Sequence, residues 1–259
     1  MNQKLTFEDE VCRNIKRIEK EAALTDLSVK WIEAVVPFHY AYNFRWLGRP
    51  IIQVPQDIVA IQEIIWETKP DLVIETGIAH GGSLVLSASM LTLLDVDDAV
   101  RTGTSFNPRS CGRKVIGVDI EIRHHNKKAI ENHPMASRIQ MIEGSSVAPE
   151  VIKKVRAASE GFKRIMVCLD SNHTHDHVFA ELQAYGPMVS VGNYCVVFDT
   201  GIEDLGKNHL SGWKWGKGDN PKTAVKAFLK THPEFKMDKM IDTKLLITSA
   251  SGGFLKRIG

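Results

Sequence analysis

The chain has no apolar run long enough to span a bilayer, so a transmembrane protein is not expected. Its four cysteines, Cys12, Cys111, Cys168 and Cys195, lie far apart and never form a CxxC pair, which argues against a structural zinc site or a disulfide framework. Cys168 and Cys195 stand inside apolar runs and are expected to be small buried hydrophobes. Charge of one sign is lacking too. The 33 basic residues against 31 acidic ones leave a net charge of +2, and no sequence-wide field points to nucleic acid or a membrane surface. Internal repeats and low-complexity tracts are absent, and the first twenty residues carry no signal-peptide core, so a reducing, cytoplasmic setting is expected. The G-x-G-x-x-G fingerprint of dinucleotide-binding turns is also missing, which weakens an NAD-dependent oxidoreductase reading.

What is present is an ordinary globular composition: 259 residues, 43% hydrophobic and 25% charged, enough for one α/β domain with an extension. Residues 1–50 read as a helical extension followed by a loop, with Val11, Ile15, Ile18 and Ala22 at helical spacing. This extension is expected to pack on the main domain or to pair with a second subunit in a homo-oligomer. From residue 51 to 259, apolar runs of strand length alternate with helical stretches, the pattern of a mostly parallel sheet covered on both faces. Residues 95–113, rich in polar and turn residues, read as a surface insertion. Residues 244–249 and 253–257 read as two strands of an antiparallel C-terminal hairpin.

The densest signal is Leu72-Val73-Ile74-Glu75-Thr76-Gly77-Ile78-Ala79-His80-Gly81-Gly82-Ser83: a strand, a glycine loop and the start of a helix. Glycines admit a ligand close to the backbone, and free N–H groups at a helix start favour polar ligand atoms. Glu75 is the departure from a phosphate loop, because a carboxylate repels phosphate and suits ammonium or hydroxyl groups. A tight structural turn is the bland alternative. Later strands also end in acids, at Asp119, Asp170 and Asp199. In such sheets ligands bind beyond the carboxyl ends of the strands, where Asp119 could accept from ribose hydroxyls or merely cap the next helix. Asp170-Ser171-Asn172-His173-Thr174-His175-Asp176-His177 carries the most chemistry per residue. Asp170 with Asp199 offers hard oxygens to Mg²⁺, and His173 an imidazole for general-base work. A shared metal on His173, His175 and His177 is disfavoured by their spacing of two. Asp176 and His177 are expected to cap a helix starting near Val178. Tyr40, Tyr42, Trp46, Arg49, Trp213 and Trp215 are candidates to line an acceptor pocket, since aromatic faces with polar tips suit sugars.

Taken together, the Glu75–Ser83 loop, Gly117-Val118-Asp119-Ile120, Gly144-Ser145-Ser146, the Leu169–His177 run and Trp215-Gly216-Lys217-Gly218-Asp219-Asn220-Pro221 resemble the cephalosporin hydroxylase-like family. That family groups with S-adenosylmethionine-dependent O-methyltransferases, including rhamnosyl and macrolide-sugar enzymes. The resemblance spans residues 46–257. It implies a Rossmann-like class I methyltransferase fold that transfers a methyl group to a hydroxyl, on a sugar of a glycan, glycolipid or glycosylated natural product. By the same resemblance Glu75 and Gly77 face the methionine part of the cofactor, Asp119 holds the ribose, and Ser145 lies near the adenine. Thr76, Ala79, Gly81, Ser83, Ile120 and Asp170 complete the cofactor contacts. Asp170 and Asp199 hold Mg²⁺, and His173 deprotonates the acceptor. One position departs from the family pattern: Phe198 stands where an acidic ligand is expected. Three outcomes follow: an ion with fewer protein ligands, substitution by Glu203 or Asp204, or a metal-free site. Phe198 also motivates a rival reading as a cofactor-binding scaffold that has lost catalysis.

Overall fold

The computed structural model describes residues 6–108, 112–206 and 214–259. The N-terminal segment forms α1 (Phe7–Ile18) and α2 (Ala22–Val35), then 3₁₀ turns at Val36–Phe38 and Tyr40–Asn43. A small antiparallel pair, β1 (Phe44–Trp46) and β2 (Arg49–Ile51), leads to α3 (Pro55–Thr68). The central part alternates β3 (Leu72–Thr76), α4 (Gly82–Thr102), β4 (Lys114–Asp119), α5 (His124–Glu131), β5 (Ile139–Glu143), α6 (Pro149–Ala158), β6 (Ile165–Leu169), α7 (His175–Tyr185) and β7 (Tyr194–Val197). It closes with α8 (Pro221–Leu229), β8 (Phe235–Met237), α9 (Lys239–Leu245) and β9 (Phe254–Arg257).

The seven strands of the main sheet run in the order β5-β4-β3-β6-β7-β9-β8, parallel from β5 to β7 and antiparallel at β9 and β8. The parallel strands are apolar on both faces because helices cover both. The two-residue alternation divides them. Val73, Val115, Met166, Cys168 and Val196 pack toward α3 and α4. Leu72, Ile74, Ile116, Val167 and Val197 pack toward α6, α7 and α8. Cys168 and Cys195 are buried free thiols, as expected from the sequence. No helix among the described residues is long and apolar enough to cross a membrane.

Two sequence expectations are corrected. Residues 95–102 are the last turns of α4, not part of a surface insertion. Their acids are held in ion pairs: Asp95 pairs with the buried Arg113 and Arg138, Asp98 with Arg113, and Gly103 ends the helix in left-handed geometry. The antiparallel edge exists, but the partner of β9 is Phe235–Met237 and not residues 244–249. Asp238 caps α9 through the backbone N–H groups of Met240 and Ile241, which draws residues 239–245 into a helix.

Candidate active site

The glycine loop after β3 is folded onto the tip of β6. Gly77 has φ +91°, and a Cβ there would run into the backbone carbonyl of Asp170, so no side chain fits. Gly82, at the start of α4, meets the backbone of Pro50 and Ile51 in the same way, which brings the β1–β2 pair against the helix start. Arg49 reinforces this seam. Its guanidinium donates to the His80 carbonyl at 2.5 and 3.0 Å and to Asn126 Oδ1 at 3.0 Å.

Asp119, at the tip of β4, accepts through Oδ2 from the backbone N–H groups of Ile78 (2.8 Å) and Ala79 (3.1 Å). These bonds hold the loop in place, with Ala79 itself at φ +44°. Only a longer 3.3 Å bond from Glu121 N reaches the other oxygen, Oδ1.

At the next strand tips, donor atoms of Asp170, His173 and Asp199 all lie within 4.8 Å of one another. His173 Nε2 is 3.4 Å from Asp199 Oδ2, and the imidazole packs against Trp215 with ring centroids 4.6 Å apart. Burial, with the carboxylates of Asp199 and Glu75 nearby, pushes the Asp170 carboxyl well above the usual range. A cation among these groups would relieve that repulsion. Two carboxylates and an imidazole are a donor set that suits a divalent metal ion.

Phe198 is not a gap in this cluster. Strand alternation turns it toward α3 and α4, where it is 2% exposed in the core, while Asp199 leaves the strand in left-handed geometry at φ +55°. The imidazole of His173 stands beside the two aspartates. Glu203 and Asp204, the substitutes considered from the sequence, are engaged elsewhere. Glu203 accepts from Gly218 N (2.9 Å) and Asn220 Nδ2 (2.5 Å), and Asp204 pairs with Lys222 at 2.6 Å. The other histidines of the run diverge. His175 Nδ1 meets Thr223 Oγ1, and His177 Nε2 meets Ser146 Oγ and Ser171 Oγ. Asp176 and His177 do not cap α7, which starts earlier, with Thr174 at the cap position.

One cavity of about 560 Å³ joins these parts, within the usual span of about 300–1,000 Å³ for small-molecule sites. Gly77, Ala79, Ser83 and Asp119 line one side of it, and Asp170, His173 and Asp199 line its floor. Tyr40, Tyr42 and Trp215 line it as well. Of the other predicted residues, Glu75 and Thr76 lie one layer deeper, in a niche of about 10 Å³ that shares Gly77, Ser83 and Asp170 with the cavity. Glu75 accepts from Ser87 Oγ at 2.5 Å, and its burial pushes its carboxyl up. Gly81, Ile120, Ser145, Trp46 and Arg49 do not line the cavity. Gly81 is buried against Ile130, Ile120 is exposed at the tip of β4, and Ser145 sits in the turn after β5. Trp46 donates its indole N–H to Ser89 Oγ at 3.0 Å and packs on the core, so it and Arg49 build the wall from behind. Trp213 lies outside the described residues.

Sequence reasoning missed Trp31 and Ile202, which line the cavity, and Thr248 and Ser249, which reach it from the C-terminal part of the chain. It also missed the device that holds the latter pair. Asp57, wholly buried on α3, accepts from Thr248 Oγ1, from Ser249 N at 2.9 Å and from Ser249 Oγ at 2.9 Å. Ser249 O in turn accepts from Gly201 N at 2.9 Å, two residues beyond Asp199. A single buried acid in an otherwise ordinary amphipathic helix was the signal available.

Fold and site together define a Rossmann-like methyltransferase. Within that class the chain belongs to the Rhamnosyl O-methyltransferase/CmcI family, whose model matches residues 38–258. It is 33% identical over 206 residues to a rhamnosyl O-methyltransferase of Mycobacterium bovis, covering 78% of this chain and 73% of that protein. A rhamnosyl O-methyltransferase of Mycobacterium leprae is 28% identical over 214 residues, 82% of each chain. Among solved structures, CmcI-D160 with Mg and S-adenosylmethionine superposes with a TM-score of 0.54 at 15% identity, covering 84% of this chain and 78% of that one. The apo structure of CmcI-N160 gives 0.54 at 16% identity, with 84% and 77% covered. At such identities these two structures speak for the fold.

Proposed function

We infer that the protein is an S-adenosylmethionine-dependent O-methyltransferase that methylates a hydroxyl group on a sugar. The observation that carries this reading is the joining, in one cavity, of the Gly77–Asp119 loop with the Asp170–His173–Asp199 cluster. Family membership and the rhamnosyl O-methyltransferase relatives support the sugar as the acceptor class. Residues 1–50 then serve as an acceptor-side extension, because Trp31, Tyr40 and Tyr42 face the cavity from that segment.

In this reading Asp119 accepts from the ribose hydroxyls through Oδ1, while its Oδ2 keeps the loop in shape. Gly77 and Ser83 border the methionine part of the cofactor, above Glu75. Asp170 and Asp199 would hold a divalent ion such as Mg²⁺, whose charge lowers the pKa of the acceptor hydroxyl. His173 takes the hydroxyl proton onto Nε2, and Asp199 Oδ2 at 3.4 Å stabilises the resulting imidazolium. Trp215 fixes the imidazole from one side and, with Tyr40 and Tyr42, offers aromatic faces to the sugar. Holding acceptor and methyl donor in one cavity turns a bimolecular transfer into a positioned one.

The experiment is acceptor-dependent release of S-adenosylhomocysteine from S-adenosylmethionine in the presence of Mg²⁺, over a panel of rhamnosyl and related glycosides. Release with a glycoside, lost on adding chelator, is expected. Full activity in chelator would remove the metal from the account, and binding of cofactor without turnover on any glycoside would favour the scaffold reading.

A further inference from the structure

Gln53 lies in the short connection between β2 and α3, where it is 5% exposed, and its Oε1 has no hydrogen-bond partner among the described residues. A buried amide oxygen left unpaired costs about 1–3 kcal/mol, so its persistence points to a group that pairs with it. Gln53 borders both the main cavity and the niche of about 10 Å³ beneath the glycine loop. That niche is about the size of one water molecule or one ammonium group. Its polar lining is rich in acceptors and poor in donors. Gln53, Glu75 and Asp170 line it, and the Ser87 hydroxyl already donates to Glu75. Such surroundings select a compact cation with several N–H donors, and the shared lining of Gly77 and Ser83 opens the niche toward the cofactor side of the cavity.

We propose that Gln53 is a cofactor-binding residue whose Oε1 accepts a hydrogen bond from the α-ammonium group of the amino-acid part of S-adenosylmethionine, with Glu75 balancing its charge. This rests on the methyltransferase reading above. It also gives the β1–β2 segment a second task. Pro50 and Ile51 pack on Gly82 at the start of α4, and Ile52 and Val54 line the cavity beside Gln53. Through Gln53 a bound cofactor therefore tethers the chain segment that carries part of the acceptor wall.

The test uses calorimetry with two ligands on the full-length protein: S-adenosylhomocysteine, which keeps the ammonium group, and 5′-methylthioadenosine, which lacks the amino-acid part. Gln53→Leu should weaken S-adenosylhomocysteine about tenfold or more, as expected for a hydrogen bond to a charged group, and leave methylthioadenosine within about twofold. Gln53→Met, unbranched and of similar length, should do the same and covers the case in which the leucine variant does not fold. Equal losses for both ligands would assign Gln53 a purely structural role and overturn the proposal. So would an unchanged affinity for S-adenosylhomocysteine, the result expected if the niche holds only a buried water. Failure of the unaltered protein to bind S-adenosylhomocysteine would instead strike the methyltransferase reading itself.

Discussion

On one side of the cavity stand Gly77, Ala79, Ser83 and Asp119, all from a single strand–loop–helix–strand unit between residues 77 and 119. On the other stand Trp31, Tyr40, Ile202, Trp215 and Thr248, drawn from the first α2 helix to the loop before β9. The first side is built by backbone: positive-φ glycine, a loop pinned by Asp119, and N–H groups at the start of α4. The second is built by side chains that meet only in the folded chain. A wall made by backbone tolerates little change and reads the same cofactor throughout a family. A wall made by side chains can be rebuilt residue by residue, and the proposed function assigns acceptor choice to it. Asp170, His173 and Asp199 line the same cavity beside both sets of residues.

Substitutions can break this division in order of expected effect. Asp170→Ala should lower kcat about 10³-fold or more by removing a metal ligand, and His173→Ala should lower it about 10²–10⁴-fold by removing the base. Steady-state kinetics with calorimetry would check both. His173→Ala should keep cofactor affinity within a few-fold, and a loss of binding equal to the loss of rate would refute the assignment of His173 to the chemistry.

Asp57 tests the link from α3 to the floor. Its carboxyl is pushed up from 3.8 to about 6 by burial, against the hydrogen bonds from Thr248 and Ser249. An acid raised in the fold stabilises it fully below its unfolded value and loses that contribution as pH rises through its folded value. Between pH 4 and pH 7 the native protein should therefore lose about 2 kcal/mol from this group, a loss that Asp57→Asn lacks. Urea unfolding of both proteins at the two pH values should show the variant gaining on the native protein as pH rises. A constant difference would contradict the buried ionisation.

Gly77→Ala should cost about 2 kcal/mol or more of stability, from the left-handed backbone and the approach to the Asp170 carbonyl, seen as a lower Tm and weakened cofactor binding. Trp215→Ala, on the side-chain wall, should raise KM for the acceptor about tenfold and leave KM for S-adenosylmethionine unchanged. Parallel changes in both KM values would erase the contrast between the walls.

The same contrast explains what the sequence made legible. The strand tips Asp119, Asp170 and Asp199 were readable because a strand ending in an acid beside a glycine loop is a local pattern, and in a parallel sheet such ends gather. The resemblance to a family added their roles. Trp46 and Arg49 were placed near the right wall but a layer too far forward, since sequence cannot show which way a side chain in a short antiparallel pair points. Ser249 and Thr248 were hidden within a stretch that looks like a strand, and their role depends on Asp57, almost two hundred positions earlier in the chain. Phe198 misled in a different way. Read in a line it replaces an acid; in the sheet it faces the core, away from Asp170, His173 and Asp199.

The central claim is that the Gly77–Asp119 side of the cavity binds S-adenosylmethionine, and calorimetric titration of the folded protein tests it most directly. The account predicts saturable binding of one molecule per chain, weakened at least tenfold by Asp119→Ala through loss of the ribose hydrogen bonds and of the loop anchor. No detectable binding to a folded native sample, or an Asp119→Ala variant that binds as tightly as the native protein, would contradict it.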